Sequence, residues 1–322
     1  VTDNEGNETR RYPYGSIFSH IVGYSTKGKS GIESLANFNL LRSNTAFLDK
    51  VGDEMQGEKS PGDNVVTTLD YGLQATAYDA LGYYKGAIVV LEPSTGKILA
   101  MVSKPDYDPS EVASKWETFN SSDDGILLNR ATQGLYPPGS VFKTVTLLEY
   151  LREHQMDPTG FSYTCKGKIS TGGRYISCYH GKSHGELDLK SAFAKSCNSA
   201  FAQIGSELNV DSYEQLADQL LFNQDLPLSF PYSKSSFTLK DTDTGTTKML
   251  TAIGQGDTLV TPMHLAMLMS AIANDGVLMT PRVLDRTENY TGTLVERYEP
   301  QEYGSLLTSE EAENLKEYLR AV

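Results

Sequence analysis

The chain has 322 residues, of which 28 are basic and 41 acidic, and the resulting net charge of −13 disfavours nucleic acid or an anionic membrane surface as the main partner. Apolar residues at 39% and charged residues at 21% fit a globular protein, and the length exceeds the ~250 residues at which single cores stop growing, so more than one domain is expected. No run of about 18 apolar residues and no signal-peptide pattern is present, so the chain as written is expected to be soluble, with any anchor removed.

Residues 1–60 are polar and turn-rich, with Tyr12-Pro13-Tyr14-Gly15 punctuating short apolar runs, and read as a small, partly β N-terminal module. Glu58–Asp63 gathers Pro, Gly and charge without an apolar residue and is the linker candidate. A second domain is expected over 61–322. It opens with a strand at Val65–Leu69; Asp70 then caps a helix with Leu73, Ala77 and Leu81 on one face, ending at Gly82. The apolar runs Ala87–Leu91 and Ile98–Val102 flank a Pro/Gly turn and predict a hairpin, hence a sheet that is at least partly antiparallel. Tyr107–Asp124 reads as loop around the single tryptophan, Trp116.

Tyr136-Pro137-Pro138-Gly139 cannot be helical, whereas Phe142, Val145, Leu148 and Leu151 mark an apolar helical row, so a helix is expected to begin near Ser140. Three residues are nearly one turn, which puts Ser140 and Lys143 on one side, the geometry of a serine nucleophile with a lysine base. Serine before a helix is also a common N-cap, and Ser-x-x-Lys is short enough to arise by chance. A second copy, Ser94-Thr95-Gly96-Lys97, falls in the hairpin turn and offers no helix start.

Phe161–Gly185 is irregular and Gly-rich and holds Cys165 and Cys178, which fit either a surface disulfide in an oxidising compartment or two free thiols. Cys178-Tyr179-His180 followed by His184 raises a zinc-dependent peptidase, but the close Cys pair that marks such sites is missing, so neither metal nor cofactor is expected. Helical spacing resumes from Leu187 to Leu208, broken by Lys195-Ser196-Cys197-Asn198-Ser199; small polar residues there indicate a site or a helix junction. Thr261-Pro262 starts a further helix, and Thr308-Ser309-Glu310-Glu311 looks like a capping box.

Ser140-x-x-Lys143 followed by Ser196-x-Asn198 forms two of the three motifs of penicillin-binding proteins and serine β-lactamases. Around them stand Val66-Thr67-Thr68-Leu69-Asp70, Leu91–Met101, Asn129-Arg130-Ala131, His184-Gly185, Ile253-Gly254-Gln255-Gly256 and Ala271–Gly276 in order, with Arg11-Tyr12-Pro13 and Gly31-Ile32-Glu33 similar to the family's pedestal. On these segments the chain resembles the class B penicillin-binding proteins across most of its length. The resemblance implies an α+β penicillin-binding fold, an antiparallel sheet flanked by helices, with a small β-rich pedestal over 1–60 and a transpeptidase domain over 61–322. One departure stands out: no Lys-Thr-Gly follows Ser196-x-Asn198, since Lys248 precedes Met249 and Lys97 precedes Ile98. That edge strand is therefore expected to be missing, together with its hold on the substrate carboxylate.

The resemblance implies a D,D-transpeptidase that crosslinks peptidoglycan stem peptides ending in D-Ala-D-Ala through an acyl-enzyme on Ser140, and that β-lactams inhibit. Lys143 is expected to be the base, Ser196 the proton relay, and Asn198 a substrate and lysine contact. It also implies a membrane glycosyltransferase partner, no nucleic acid, and a place on the extracytoplasmic face of a bacterial plasma membrane through an N-terminal anchor absent from this chain. A serine β-lactamase or β-lactam sensor, or a scaffold that retains the fold without chemistry, are the alternatives.

Overall fold

The computed structural model describes residues 9–44 and 61–322. The chain folds as two compact units, each assembled from separate stretches of sequence. One comprises Val1–Gly134, Pro227–Tyr232 and Met279–Tyr303; the other comprises Leu135–Leu226, Ser233–Leu278 and Gly304–Val322.

In the first unit, Asn64–Thr67 pairs antiparallel with Leu284–Glu288, which pairs in turn with Leu294–Arg297. Gly86–Leu91 and Ile98–Lys104 form the expected hairpin, in register with Ala87 opposite Ser103 and Val90 opposite Ala100. The helix Tyr71–Leu81 begins where Asp70 accepts the Leu73 N–H at 2.8 Å, the N-cap read from the sequence. Its fully buried Gln74 fixes it to the hairpin: the amide accepts from Met101 N at 2.9 Å and donates to Met101 O at 3.1 Å. A buried amide whose donor and acceptor are both used costs little to desolvate, and it sets the helix position.

Three expectations are corrected here. Residues 9–44, expected to be partly β, carry no strand among the described residues; they wind into the short helices Ser19–Val22, Gly31–Leu35 and Asn37–Leu41. The remainder of the 1–60 module lies outside the described residues. Of the Glu58–Asp63 linker, residues 58–60 also lie outside them, and the rest is anchored: buried Asp63 accepts the Asn44 N–H at 2.9 Å, and its own N–H donates to Arg42 O at 2.8 Å. Finally, Tyr107–Asp124 contains the helix Val112–Asn120. Trp116 packs edge-on to Tyr24 with centroids 6.0 Å apart, while Phe119 approaches Tyr107 at 6.1 Å.

The second unit is built around Lys143–Glu153, whose residues from Lys143 to Leu151 are all buried. Phe142, just ahead of it, sits among Phe222, Phe237 and Tyr213 with centroids 5.6 to 6.2 Å away; burying one such ring contributes about 1.5–3 kcal/mol. Thr146 fastens the middle of the helix, with Oγ1 2.7 Å from both Tyr213 Oη and Ala252 O. Pro262–Ala273 starts at Thr261, whose hydroxyl accepts the His264 N–H, and Ser309–Leu319 starts at a complete Thr308/Glu311 capping box, both as expected. Phe161–Gly185, expected to be irregular, forms two small hairpins instead: Tyr163–Cys165 with Gly185–Leu187, and Lys168–Thr171 with Arg174–Ser177.

Candidate active site

Ser140 is delivered by a turn with little freedom. Pro137 and Pro138 bar a helix upstream. Tyr136 and Val260 exchange N–H···O bonds of 3.0 and 2.9 Å, and Gly139 N–H donates to Gly254 O at 2.9 Å. Gly254 has φ +70°, and a Cβ on it would lie 1.9 Å from Gly139 O, so only glycine lets this backbone pass beneath the serine.

The chain then winds as a 3-10 turn, Gly139–Phe142, before the α-helix begins at Lys143. The α-helix thus starts three residues later than the expected position near Ser140. The tighter winding serves the same end, because three residues per turn stack positions i and i+3 in line. Lys143 Nζ lies 3.3 Å from Ser140 Oγ.

Ser196 and Asn198 come to the same amine. The expected break in the 187–208 run is a helix junction between Leu189–Ala194 and Asn198–Glu207. Ser196 N–H donates to Phe193 O at 2.8 Å and Cys197 N–H to Ala192 O at 2.9 Å, the paired bonds of a Schellman ending, whose left-handed residue is usually glycine. Here Ser196 takes that place with φ +48°. Its O and Oγ lie 2.8 and 2.9 Å from Lys143 Nζ, and Asn198 Oδ1 lies at 2.6 Å, while Asn198 Nδ2 donates to Ser177 O at 3.0 Å.

Seating a serine where glycine fits costs about 1–2 kcal/mol, so the hydroxyl is retained against the preference of the backbone. Ser196→Gly is expected to stay within about 0.5 kcal/mol of the parent in denaturant unfolding, because relief of strain offsets glycine's greater unfolded-state freedom. The acylation defined below should nonetheless fall on the order of 10²-fold, as for loss of a proton-transfer group. Retained acylation in Ser196→Gly would show that the hydroxyl has no chemical part.

The electrostatics follow from burial. Lys143 is 1% exposed, whereas Ser140 and Ser196 are open to solvent. Burial pushes the Lys143 amine down to about 8, against the opposing pull of the Cys197 and Cys178 sulfurs. Two of its neighbours, Ser196 O and Asn198 Oδ1, can only accept. A neutral amine has two N–H bonds for those two oxygens, which leaves its lone pair to receive the Ser140 proton. The arrangement can therefore activate a hydroxyl for acyl transfer.

Ser140, Lys143, Ser196 and Asn198 are thus brought together at one nitrogen. The second Ser-x-x-Lys, Ser94 to Lys97, lies in the hairpin turn as expected. Lys248 lies in the helix Gly245–Ala252, 3.2 Å from Asp241. The set Cys178, His180 and His184 is not assembled: His180 packs on Tyr179 at 4.0 Å, while Cys178 and His184 gather with Cys165 and Cys197. The three cysteines are free thiols. Sequence reasoning named Cys197 only as part of the break at 195–199, gave it no role of its own, and passed over Ser177, whose carbonyl holds the Asn198 amide.

The chain as a whole is similar to known proteins. The profile described as "Penicillin binding protein transpeptidase domain" matches residues 86–322, and that described as "Penicillin binding protein A dimerisation domain" matches residues 1–65. The chain is 32% identical to the peptidoglycan D,D-transpeptidase PbpA of Mycolicibacterium smegmatis, over 88% of this chain and 62% of that protein. It is 28% identical to the peptidoglycan D,D-transpeptidase MrdA of Acinetobacter baumannii, over 88% of this chain and 48% of the other. The imipenem acyl-enzyme of penicillin-binding protein A from M. tuberculosis superposes with a TM-score of 0.89 at 27% identity, covering 100% of this chain and 78% of that one. The D,D-transpeptidase domain from Eggerthella lenta does so with a TM-score of 0.87 at 30% identity, covering 99% and 76%. The chain spans about three-fifths of the length of the PbpA relatives. With the transpeptidase profile covering most of its residues, the chain belongs to the penicillin-binding protein transpeptidase family.

Proposed function

We propose that the chain carries the acyl-transfer centre of a peptidoglycan D,D-transpeptidase. Ser140 Oγ attacks the carbonyl of the penultimate D-Ala of a stem peptide while Lys143 takes its proton. Ser196 passes that proton to the departing D-Ala amine, and an amine from a neighbouring stem then displaces Ser140 from the acyl-enzyme. Two acyl transfers replace one difficult amide exchange. The Asn198 amide group donates to the substrate backbone while its oxygen orients Lys143, and the Ser140 N–H is one donor to the developing oxyanion. The observation that carries this reading is the buried Lys143 amine, 3.3 Å from a solvent-open serine hydroxyl and 2.6 Å from Asn198 Oδ1.

We also propose residues 1–60 as a pedestal module and 61–322 as the transpeptidase domain. A match of the dimerisation profile to residues 1–65 supports the first. The proposed setting is the extracytoplasmic face of a bacterial plasma membrane, with a membrane glycosyltransferase supplying the glycan strands. Among the described residues no helix is long and apolar enough to cross a membrane, so the anchor belongs to this proposal alone.

A β-lactam presents a strained amide to the same nucleophile. Labelled penicillin is expected to attach covalently to the intact protein at Ser140, and Ser140→Ala should lose the label entirely. Equal labelling of the two would remove Ser140 from the chemistry. Rapid nitrocefin turnover would make the protein a β-lactamase, and absence of any label on the intact parent would leave a scaffold.

A further inference from the structure

In the first unit a cavity opens where the helix Tyr71–Leu81 runs out beside the open end of the hairpin of Gly86–Leu91 and Ile98–Lys104. Its volume is about 640 Å³, and its walls include Tyr78, Tyr83, Tyr84, Lys104, Asp106 and Asp124. None of these belongs to the acyl-transfer centre. The volume falls within the range of about 300–1,000 Å³ common to small-molecule sites.

The fold builds the walls and leaves two rings bare. Gly82, with φ +53°, turns the chain out of the helix, and Tyr84 N–H donates back to Leu81 O at 3.1 Å. Tyr83 is then fully exposed and Tyr84 79% exposed, so neither ring is spent on the interior. Adjacent bare aromatics on a charged surface mark a binding face. The other walls are fixed. Lys104 Nζ lies 3.6 Å from the Tyr78 ring centroid and donates to Gly82 O at 2.8 Å. Burial, and then a hydrogen bond to Asp106, holds the Tyr78 hydroxyl above its ordinary value, so it remains a neutral donor to that carboxylate. Buried Arg130 donates to Asp124 O at 2.5 Å and to Gly125 O at 2.9 Å, while the Asp124 carboxylate pairs with Lys85. Walls set before binding lower the cost of ordering them around a ligand.

Their chemistry selects among ligands. Pro105 is the one wholly apolar side chain among the described lining residues, so a hydrophobic ligand would strand polar groups without partners. A phosphate or other polyanion would face Asp79, Asp106 and Asp124 with both lysines already engaged. A bare cation would find Asp106 held by Tyr78 and Asp124 by Lys85. A sugar meets all of these conditions. The C–H face of a pyranose lies flat on a tyrosine ring, and the hydroxyls at its rim donate to carboxylates or accept from the remaining ammonium N–H bonds.

We propose that this cavity binds a neutral stretch of the glycan strand that carries the stem peptides, with Tyr83 and Tyr84 as stacking platforms and Asp79 and Asp106 as acceptors for sugar hydroxyls. The choice of this glycan rests on the transpeptidase reading, whereas the fit to a sugar does not. Binding is non-covalent. A hold on the strand is separate from the hold on the stem peptide, so its loss weakens binding of the polymer and leaves attack on a small β-lactam unchanged.

The test is calorimetry and saturation-transfer NMR of the intact protein with a stem-free tetramer of β-1,4-linked N-acetylglucosamine, with penicillin labelling in parallel. Saturable binding of one tetramer per chain is expected. The double variant Tyr83→Ala/Tyr84→Ala should bind it on the order of 10-fold or more weakly, yet react with penicillin at the parental rate, which shows that it is folded. Tyr179→Ala removes a ring that is 82% exposed elsewhere and should bind as the parent does. No binding up to about 10 mM tetramer would overturn the proposal, as would undiminished binding by the double variant or an equal loss in Tyr179→Ala. Binding of anionic lipid vesicles through the same two tyrosines, without the tetramer, would overturn it in favour of a membrane surface. Tetramer binding by a parent that penicillin fails to label would support the sugar site and remove the transpeptidase reading.

Discussion

Lys143→Arg is expected to lower the rate of penicillin acylation on the order of 10³-fold, and Lys143→Met to do the same, although the two differ by a full charge. The role assigned to Lys143 is to hold a lone pair toward Ser140 Oγ, 3.3 Å away. Arginine keeps the positive charge but cannot release a proton near neutral pH, and methionine keeps the approximate volume but has no base. If Lys143 served only as a fixed charge or a hydrogen-bond post for Asn198, arginine would retain most of the activity. The two variants therefore separate a chemical role from a positioning one. Lys143→Met should remain folded, because an apolar side chain suits a position that is 1% exposed. Its unfolding midpoint in denaturant guards against a trivial loss of structure.

The second large effect is expected some distance along the chain. Gly254→Ala places a Cβ 1.9 Å from Gly139 O and 2.6 Å from Gly139 C. Both atoms are backbone, so no side chain can rotate aside, and φ +70° adds the strain of a left-handed alanine. Strain of this kind costs roughly 1–3 kcal/mol. The displaced segment leads directly into Ser140, and a shift of about 1 Å at a reacting atom lowers rates on the order of 10²-fold. Stopped-flow acylation together with a denaturant titration should show both losses. An alanine variant with parental acylation would mean that the contact between Gly254 and Gly139 does not position the serine.

Local signals proved legible where one residue type does one job. Asp70, Thr261 and Thr308 cap helices because their oxygens accept orphan N–H groups, and Pro137-Pro138-Gly139 forced the helix to start after it. The spacing of Ser140 and Lys143 needed only helical geometry. Illegible from the residues alone were the elements too short for a period to show. Four- and five-residue helices in 9–44 and three- and four-residue strands in 163–187 take their form from partners elsewhere in the chain, such as Tyr163 opposite Leu187. Val112–Asn120 was obscured by its polar residues, and Lys115 interrupts its helical backbone. At the site, Ser196 and Lys143 stand 53 positions apart in the chain, and nothing local in the sequence marks their meeting. Likewise, four segments must fold before three cysteines and a histidine converge.

If Lys143 is a neutral base beside Ser140, the acylation rate must follow the titration of its amine, and a pH–rate profile of penicillin acylation reads this out. Only the unprotonated amine can take the serine proton, so the rate should rise about tenfold per pH unit below the amine's lowered value of about 8 and level off above it. The same shift makes the folded protein gain stability as pH rises from about 8 towards the ordinary lysine value of 10.5, the window in which the unfolded chain still holds the proton. A rate constant that is flat from about pH 6 to 9, or one still climbing without a break past about pH 10 as an ordinary lysine would give, contradicts the account.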